Sequence, residues 1–251
     1  MTADDRSPAR LVAKAAADAP PEELPRRLCA AVCEGLGADG ATLSLLTDTP
    51  ARQLLAASDS TALLLEEIQF TVVEGPCVSA AADGEPVVVN DLEHTPTPWP
   101  LFGASMREKL PQVRAVYAFP VYFGDYVLGS MDLLYLRRDA LPEDAVEQGL
   151  EVADAVATAL LPVRTRLFSG KEAPAWEPAE QVRAHWFDTH RAIGMVASHR
   201  GLGVEDALAL VRARAFRTGR TLADVTAEIL GSRPPRPPEP EPPRREEDPG
   251  R

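Results

Sequence analysis

Cysteine is scarce in this chain: Cys29, Cys33 and Cys77 are the only three. Their odd number and spacing give no disulfide framework and point to a reducing compartment. Positive charge is in deficit as well. With a net charge of −12 the chain as a whole repels a polyanion, so any nucleic-acid binding must be local. The N-terminal "MTADDRSPARLVAKAAADAP" lacks the uninterrupted apolar core of a signal peptide, and no stretch is long enough to span a bilayer. These absences predict a soluble, cytoplasmic protein with no membrane partner.

Catalytic signatures are missing too. There is no HExxH, "GASMR" is not a nucleophile elbow, and "SGKEA" lacks the flanking residues of a phosphate loop. The acidic pairs Glu66-Glu67 and Glu143-Asp144 fit helix ends and exposed faces better than acid–base chemistry. Cys29 and Cys33, one turn apart on an apolar helix, read as core, because a zinc site needs two further ligands at the usual spacing. His94 stands alone in a loop. The expectation is a non-enzyme with no metal site and no assignable cofactor.

What is abundant is proline, 24 residues that crowd the ends and linkers. Residues 1–21 are expected to be flexible, with room for a short helix over "ARLVAKAAADA", and 233–251 to be a disordered proline-rich tail. Residues 22–165 alternate helical and extended patterns. "EELPRRLCAAVCEGL" puts Leu24, Leu28, Val32 and Leu36 on one helical face. "ATLSLLT" and "RQLLAAS" read as strands joined by "DTPA", and "EIQFTVV" as a third. "GPCVSAAADG" reads as a helix closed by Gly84, "EPVVVND" as a buried strand, and "LFGASMREKL" as another helix. "VRAVYAFPVYF" and "YVLGSMDLLYL" form a hairpin over "GD", with Ala115, Tyr117, Phe119 and Val121 on one face. A helix over "LPEDAVEQGLEVADAVATALL" completes an α/β (α+β) domain, a central antiparallel sheet covered by helices.

A linker at 166–178 leads to a purely helical segment, 179–232, broken at "RGLG" and "TGR" into three helices. In the first, Val182, Trp186, Thr189, Ile193 and Val196 recur at spacings of four and three, a seam able to pair with another helix or a second copy. Gly194 lies on the adjacent stripe, where it lets another backbone approach closely. Val204, Leu208, Val211 and Ala215 give the second helix its apolar stripe. Thr221 and Asp224 make an approximate capping box for the third. From Glu180 to Arg233 eight arginines face six acids, and Arg212, Arg214, Arg217 and Arg220 fall within nine positions. That density suits phosphate contact, though a solvated basic helix has the same composition.

The set "RAIGMVASHRGLGVEDALALVRARAFRTGRTLADVTAEIL" resembles an ANTAR domain, the three-helix RNA-binding module of bacterial transcription antiterminators. The likeness rests on Ala192-x-Gly194-Met195, the glycine-initiated turn before Val204, Ala207, Arg212-x-x-Ala215 and Leu222-x-x-Val225. It departs at Arg191 and Thr226. The resemblance implies binding to hairpin loops in nascent RNA, with Ala192 and Gly194 allowing close packing and Arg191, Arg212, Arg214, Arg217 and Arg220 on the RNA-facing surface. Loops offer unstacked bases that a small helical reader can reach. The spacing of the first helix adds the expectation of a homodimer, paired through Val182, Trp186, Ile193 and Val196.

The middle segment, in "FTVVEGPCVSAAADGEPVVVNDL" and the long hairpin, resembles a GAF domain, as found joined to ANTAR in actinobacterial proteins. This implies a sensor that encloses a small molecule in a pocket lined by Cys77, Trp99, Phe102, Tyr117, Phe119 and Met131. A filled core there is the alternative, as is a merely packed Cys77. For the whole chain the leading reading is a signal-responsive antiterminator. A helix-turn-helix-like DNA-binding regulator and a protein-interaction module without nucleic acid stand beside it.

Overall fold

The computed structural model describes residues 7–21, 23–45, 53–138, 144–163 and 188–231. Its centre is a five-stranded antiparallel sheet in the order β2-β1-β5-β4-β3. The strands are β1 (Gly40–Leu45), β2 (Gln53–Ala57), β3 (Val87–Val89), β4 (Ala115–Phe123) and β5 (Tyr126–Tyr135). The β4–β5 hairpin turns at Gly124 and pairs Tyr117 with Leu133 and Phe119 with Met131. β1 lies on the other side of β5, with Thr42 opposite Asp132 and Ser44 opposite Ser130.

Period-two alternation splits the sheet into two chemically different faces. One carries Ala41, Leu43, Leu45, Tyr117, Phe119, Met131 and Leu133, and packs under α1 (Pro8–Ala17), α2 (Leu24–Leu36) and α6 (Ala145–Leu160) in the main core. Phe119 is fully buried with its ring end against Gly149 of α6, where an added Cβ would collide with it. The opposite face packs under α3 (Ser60–Val72), α4 (Pro76–Asp83) and α5 (Pro100–Lys109). Val116, Ala118 and Leu134 line it, but so do Thr42, Ser44, Ser130 and Asp132. No helix among the described residues is long and apolar enough to cross a membrane.

Two expectations need correction here. The segment before residue 22, expected to be flexible with room for a short helix, holds that helix as α1, docked and not mobile: the Ser7 hydroxyl accepts from the Arg10 N–H and Val12 is fully buried in the main core. Its alanines pack on the core as well, so this short amphipathic helix gains its stability from docking. "EIQFTVV" is not a strand but the second half of α3. Asp59 caps that helix by accepting from the N–H groups of Thr61 and Ala62, and the run from Ser60 carries helix formers that outweigh the β-branched residues at its end. Leu65 to Phe70 are buried without a break, more than one full turn, so α3 is enclosed all round.

The C-terminal helices are α7 (Thr189–Arg200), α8 (Val204–Thr218) and α9 (Leu222–Gly231), ending or joining at Gly201 and Gly219 in left-handed turns. The Thr221–Asp224 capping box forms reciprocally: the Asp224 N–H donates to Thr221 Oγ1 at 3.1 Å and the Thr221 N–H to Asp224 Oδ2 at 3.2 Å. Ile193, Leu208, Val211, Ala215, Leu222 and Val225 form the core of this unit, and Phe70 of α3 joins that core. Val204, expected to face inward, sits at the first turn of α8 and is 55% exposed.

Candidate functional site

The sheet face under α3 and α4 is polar where a core should be apolar. Glu66 and Gln69 of α3, Cys77 of α4, and Ser130 and Asp132 of β5 are all buried. The Gln69 side chain ties them together: Nε2 donates to Asp132 Oδ2 at 2.7 Å, and Oε1 accepts from the Cys77 N–H at 2.9 Å. Ser130 Oγ donates to Asp132 Oδ1, and the Cys77 thiol donates to Glu66 Oε2 at 3.9 Å. Thr42 and Ser44, facing Asp132 and Ser130 across β1–β5, bury hydroxyls that have no hydrogen-bond partner among the described residues. An unpaired buried hydroxyl costs about 1–3 kcal/mol, so this is an expensive arrangement for mere packing.

Gly75 makes the network possible. It stands at φ +135°, and a Cβ there would meet Gln69 Oε1 at 2.7 Å. Glu74 next to it caps α5, accepting from the Leu101 N–H at 2.9 Å. Gly75→Ala is expected to strain the backbone and push Gln69 off the Cys77 amide, costing about 1–3 kcal/mol. Urea unfolding of the variant against the parent measures it, and an unchanged midpoint would show that Gln69 has room to yield.

The reading of Glu66-Glu67 as an exposed pair is overturned, since both are buried in α3. The aromatic pocket does not assemble either. Tyr117, Phe119 and Met131 sit on the main-core face, whereas Cys77, Trp99 and Phe102 lie on the other, so the sheet separates them. Tyr117 stacks edge-on against Tyr135 at 5.3 Å and Trp99 against Phe102 at 6.0 Å, while the Trp99 indole donates to Ser79 Oγ. Cys29 is core as expected. Burial pushes its thiol far above the usual range, and burial also raises that of half-buried Cys33.

On the C-terminal helices the arginines divide by partner. Arg212 stacks its guanidinium 4.4 Å over the ring of Phe70. Arg214 and Arg220 both donate to the Glu228 carboxylate. Hydrogen bonding from Arg220, reinforced by Arg214 and opposed by desolvation, holds Glu228 below the usual carboxylate range. That pairing is intact above the ordinary carboxylate pKa and is lost as pH falls through the lowered one. Arg191 pairs with Asp188 at 3.2 Å. Arg217, exposed, borders a cleft of about 540 Å3 with Arg200 and Arg214 over a floor that includes Val196, Leu210 and Ile229.

The packing roles assigned to α7 need revision. Ala192 is buried, but Gly194 is exposed and a Cβ built on it meets nothing within 4 Å, so no backbone of the described residues approaches it. Ile193 is buried in its own three-helix core instead of forming a free seam, because the same four-and-three spacing serves both. Val196 is half-buried in the cleft, and Val182 and Trp186 lie outside the described residues.

The GAF domain family profile matches residues 18–161. The chain belongs to the GAF domain family. Among solved structures, the GAF domain of a phosphoenolpyruvate-protein phosphotransferase from Coxiella burnetii is 17% identical, with a TM-score of 0.49 over 63% of this chain and 93% of that one. A domain of a two-component sensor histidine kinase protein from Sinorhizobium meliloti 1021 is 15% identical, with a TM-score of 0.47 over 62% and 100%. The free methionine-R-sulfoxide reductase of Neisseria meningitidis, in complex with its substrate, is 15% identical, with a TM-score of 0.45 over 61% and 86%. No curated protein matches the sequence significantly. The GAF domain is a sensory module of signal-sensing proteins and commonly binds small molecules, and here its inner face is the buried polar cluster.

Proposed function

We propose that the chain is a signal-responsive, non-catalytic regulator in which the GAF domain senses and the C-terminal helices, resembling an ANTAR domain, bind hairpins in nascent RNA and so antiterminate transcription. The observation that carries this reading is the arginine-bordered cleft on α7 and α8. Its guanidinium groups suit phosphate oxygens, and its apolar floor suits unstacked loop bases. The local charge supports it too, a small positive excess from Glu180 to Arg233 within a chain of −12. Signal and output share α3: Glu66 and Gln69 belong to the polar cluster, and Phe70, next along the chain, meets Arg212. A change in the sensor that tilts α3 thus bears on the arginine helix.

The test is competition between a hairpin RNA and duplex DNA for the full chain at fixed salt in a gel-shift assay. Arg200→Gln with Arg217→Gln is expected to weaken hairpin binding about 100-fold, roughly tenfold for each guanidinium removed. Glu228→Gln, which releases Arg214 and Arg220 from their carboxylate, is expected to strengthen it. Preference for duplex would replace this reading with a DNA-binding regulator, and binding to neither nucleic acid with a protein-interaction module.

A further inference from the structure

Glu66, Cys77 and Asp132 form a group whose ligand atoms all lie within 4.8 Å of one another, with Cys77 Sγ and Glu66 Oε2 at 3.9 Å. A thiolate and two carboxylates around one ion, with metal–sulfur bonds near 2.3 Å and metal–oxygen bonds near 2.1 Å, stand about 3.5 Å apart in tetrahedral geometry. Cys77 and Glu66, at 3.9 Å, are already near that spacing, and Asp132 lies within 4.8 Å of both. The hydroxyls of Thr42 and Ser44, 1% and 2% exposed and without a hydrogen-bond partner among the described residues, lie on the same sheet face, opposite Asp132 and Ser130.

We propose that Glu66, Cys77 and Asp132 bind a divalent transition metal ion of borderline softness, such as Zn2+ or Fe2+. Its fourth position is left to a water or small ligand that the Thr42 and Ser44 hydroxyls hold. The donor set selects against the hard cations: Mg2+ and Ca2+ take six or more oxygens and have no use for a thiolate. The supporting shell is in place. Gln69 and Ser130 orient the Asp132 carboxylate, and Gln69 also fixes the backbone of Cys77, the kind of outer hydrogen bonding that sets ligand geometry at metal sites. On binding, the Cys77 S–H bond breaks, sulfur keeps the electron pair and donates it to the metal, and the proton leaves to solvent. Three protein ligands leave room for exchange, which makes this a binding site for the input of the sensor. The assignment stands on the GAF domain alone and is independent of RNA binding.

Co2+ reports on such a site directly. The full chain, reduced and stripped with chelator, is expected to bind a single equivalent of Co2+ with a thiolate-to-metal charge-transfer band, to release protons on binding, and to lose the band when Zn2+ is added. Cys33→Ser should keep the band, and Cys77→Ser should abolish it. Glu66→Gln, nearly isosteric, should weaken binding at least about tenfold while the circular dichroism melt stays close to the parent's. Absence of the band in the parent chain, its loss in Cys33→Ser, or unchanged affinity in Glu66→Gln overturns the proposal. If Cys77→Ser fails to fold, the Cys33→Ser and Glu66→Gln results decide it.

Discussion

Phe119→Ala is expected to destabilise the GAF domain by about 3–5 kcal/mol, and to reverse the sign of a second substitution, Gly149→Ala. The ring is fully buried between β4 and α6, and a methyl group on Gly149 would occupy the space the ring fills. In the parent background Gly149→Ala should therefore cost about 1–3 kcal/mol by overpacking. With the ring gone the collision goes with it. Only the helix preference for alanine over glycine remains, worth up to about 1 kcal/mol in the stabilising direction. Urea unfolding of the four proteins in a double-mutant cycle measures the coupling. An equal cost of Gly149→Ala in both backgrounds would show that something other than Phe119 keeps position 149 small.

The second large effect concerns the join between sensor and helices. Phe70 is the GAF residue that enters the core of α7, α8 and α9, and it carries the Arg212 guanidinium on its ring. Phe70→Ala removes both the apolar packing and the cation–π partner, at a cost of about 3–5 kcal/mol for the side chain, of which about 1–2 kcal/mol is the stacking. The expected outcome is a calorimetric trace in which the C-terminal helices melt separately and earlier than the GAF domain, with faster amide exchange at Val211 and Ala215. Phe70→Leu, which retains the apolar burial, should fall between alanine and the parent. A single transition unchanged in Phe70→Ala would mean that Phe70 does not couple the two.

How far these features could be read from the sequence depends on the kind of signal. The β4–β5 hairpin was legible because two apolar runs rich in aromatic and branched residues flank the turn pair Gly124-Asp125, and α4 because proline opens it and Gly84 closes it. In α3 the local signal misled: "EIQFTVV" alone is a good strand, and only the Asp59 cap eleven residues before Phe70 reveals a helix. The polar cluster escaped for a different reason. Carboxylates default to solvent, and nothing within α3 says that both Glu66 and Glu67 are covered. One hint was present in β5, where Ser130 and Asp132 share a face inside an otherwise apolar strand, a costly pattern unless that face meets something polar. The aromatic pocket failed because residue type was considered without strand parity: Tyr117 and Phe119 are two apart and must face away from Ala118, which packs with Cys77. Gly194 could not be assigned from sequence at all, since a glycine selected for close approach and one merely tolerated on a surface look alike until the neighbours are known.

Enclosure of α3 over six consecutive residues has a mechanical result. A helix with one wet side can roll or slip by a rotamer at a time, since water refills whatever gap opens. Between Leu65 and Phe70 the side chains are covered by sheet, helix or the C-terminal core, except where Glu67 and Ile68 border a small cleft shared with α5 and α8, so the segment has little room to roll and is expected to shift as a unit. If Glu66 takes up a bond as proposed, the displacement is expected at the ring of Phe70, one turn further along the same helix and beneath Arg212.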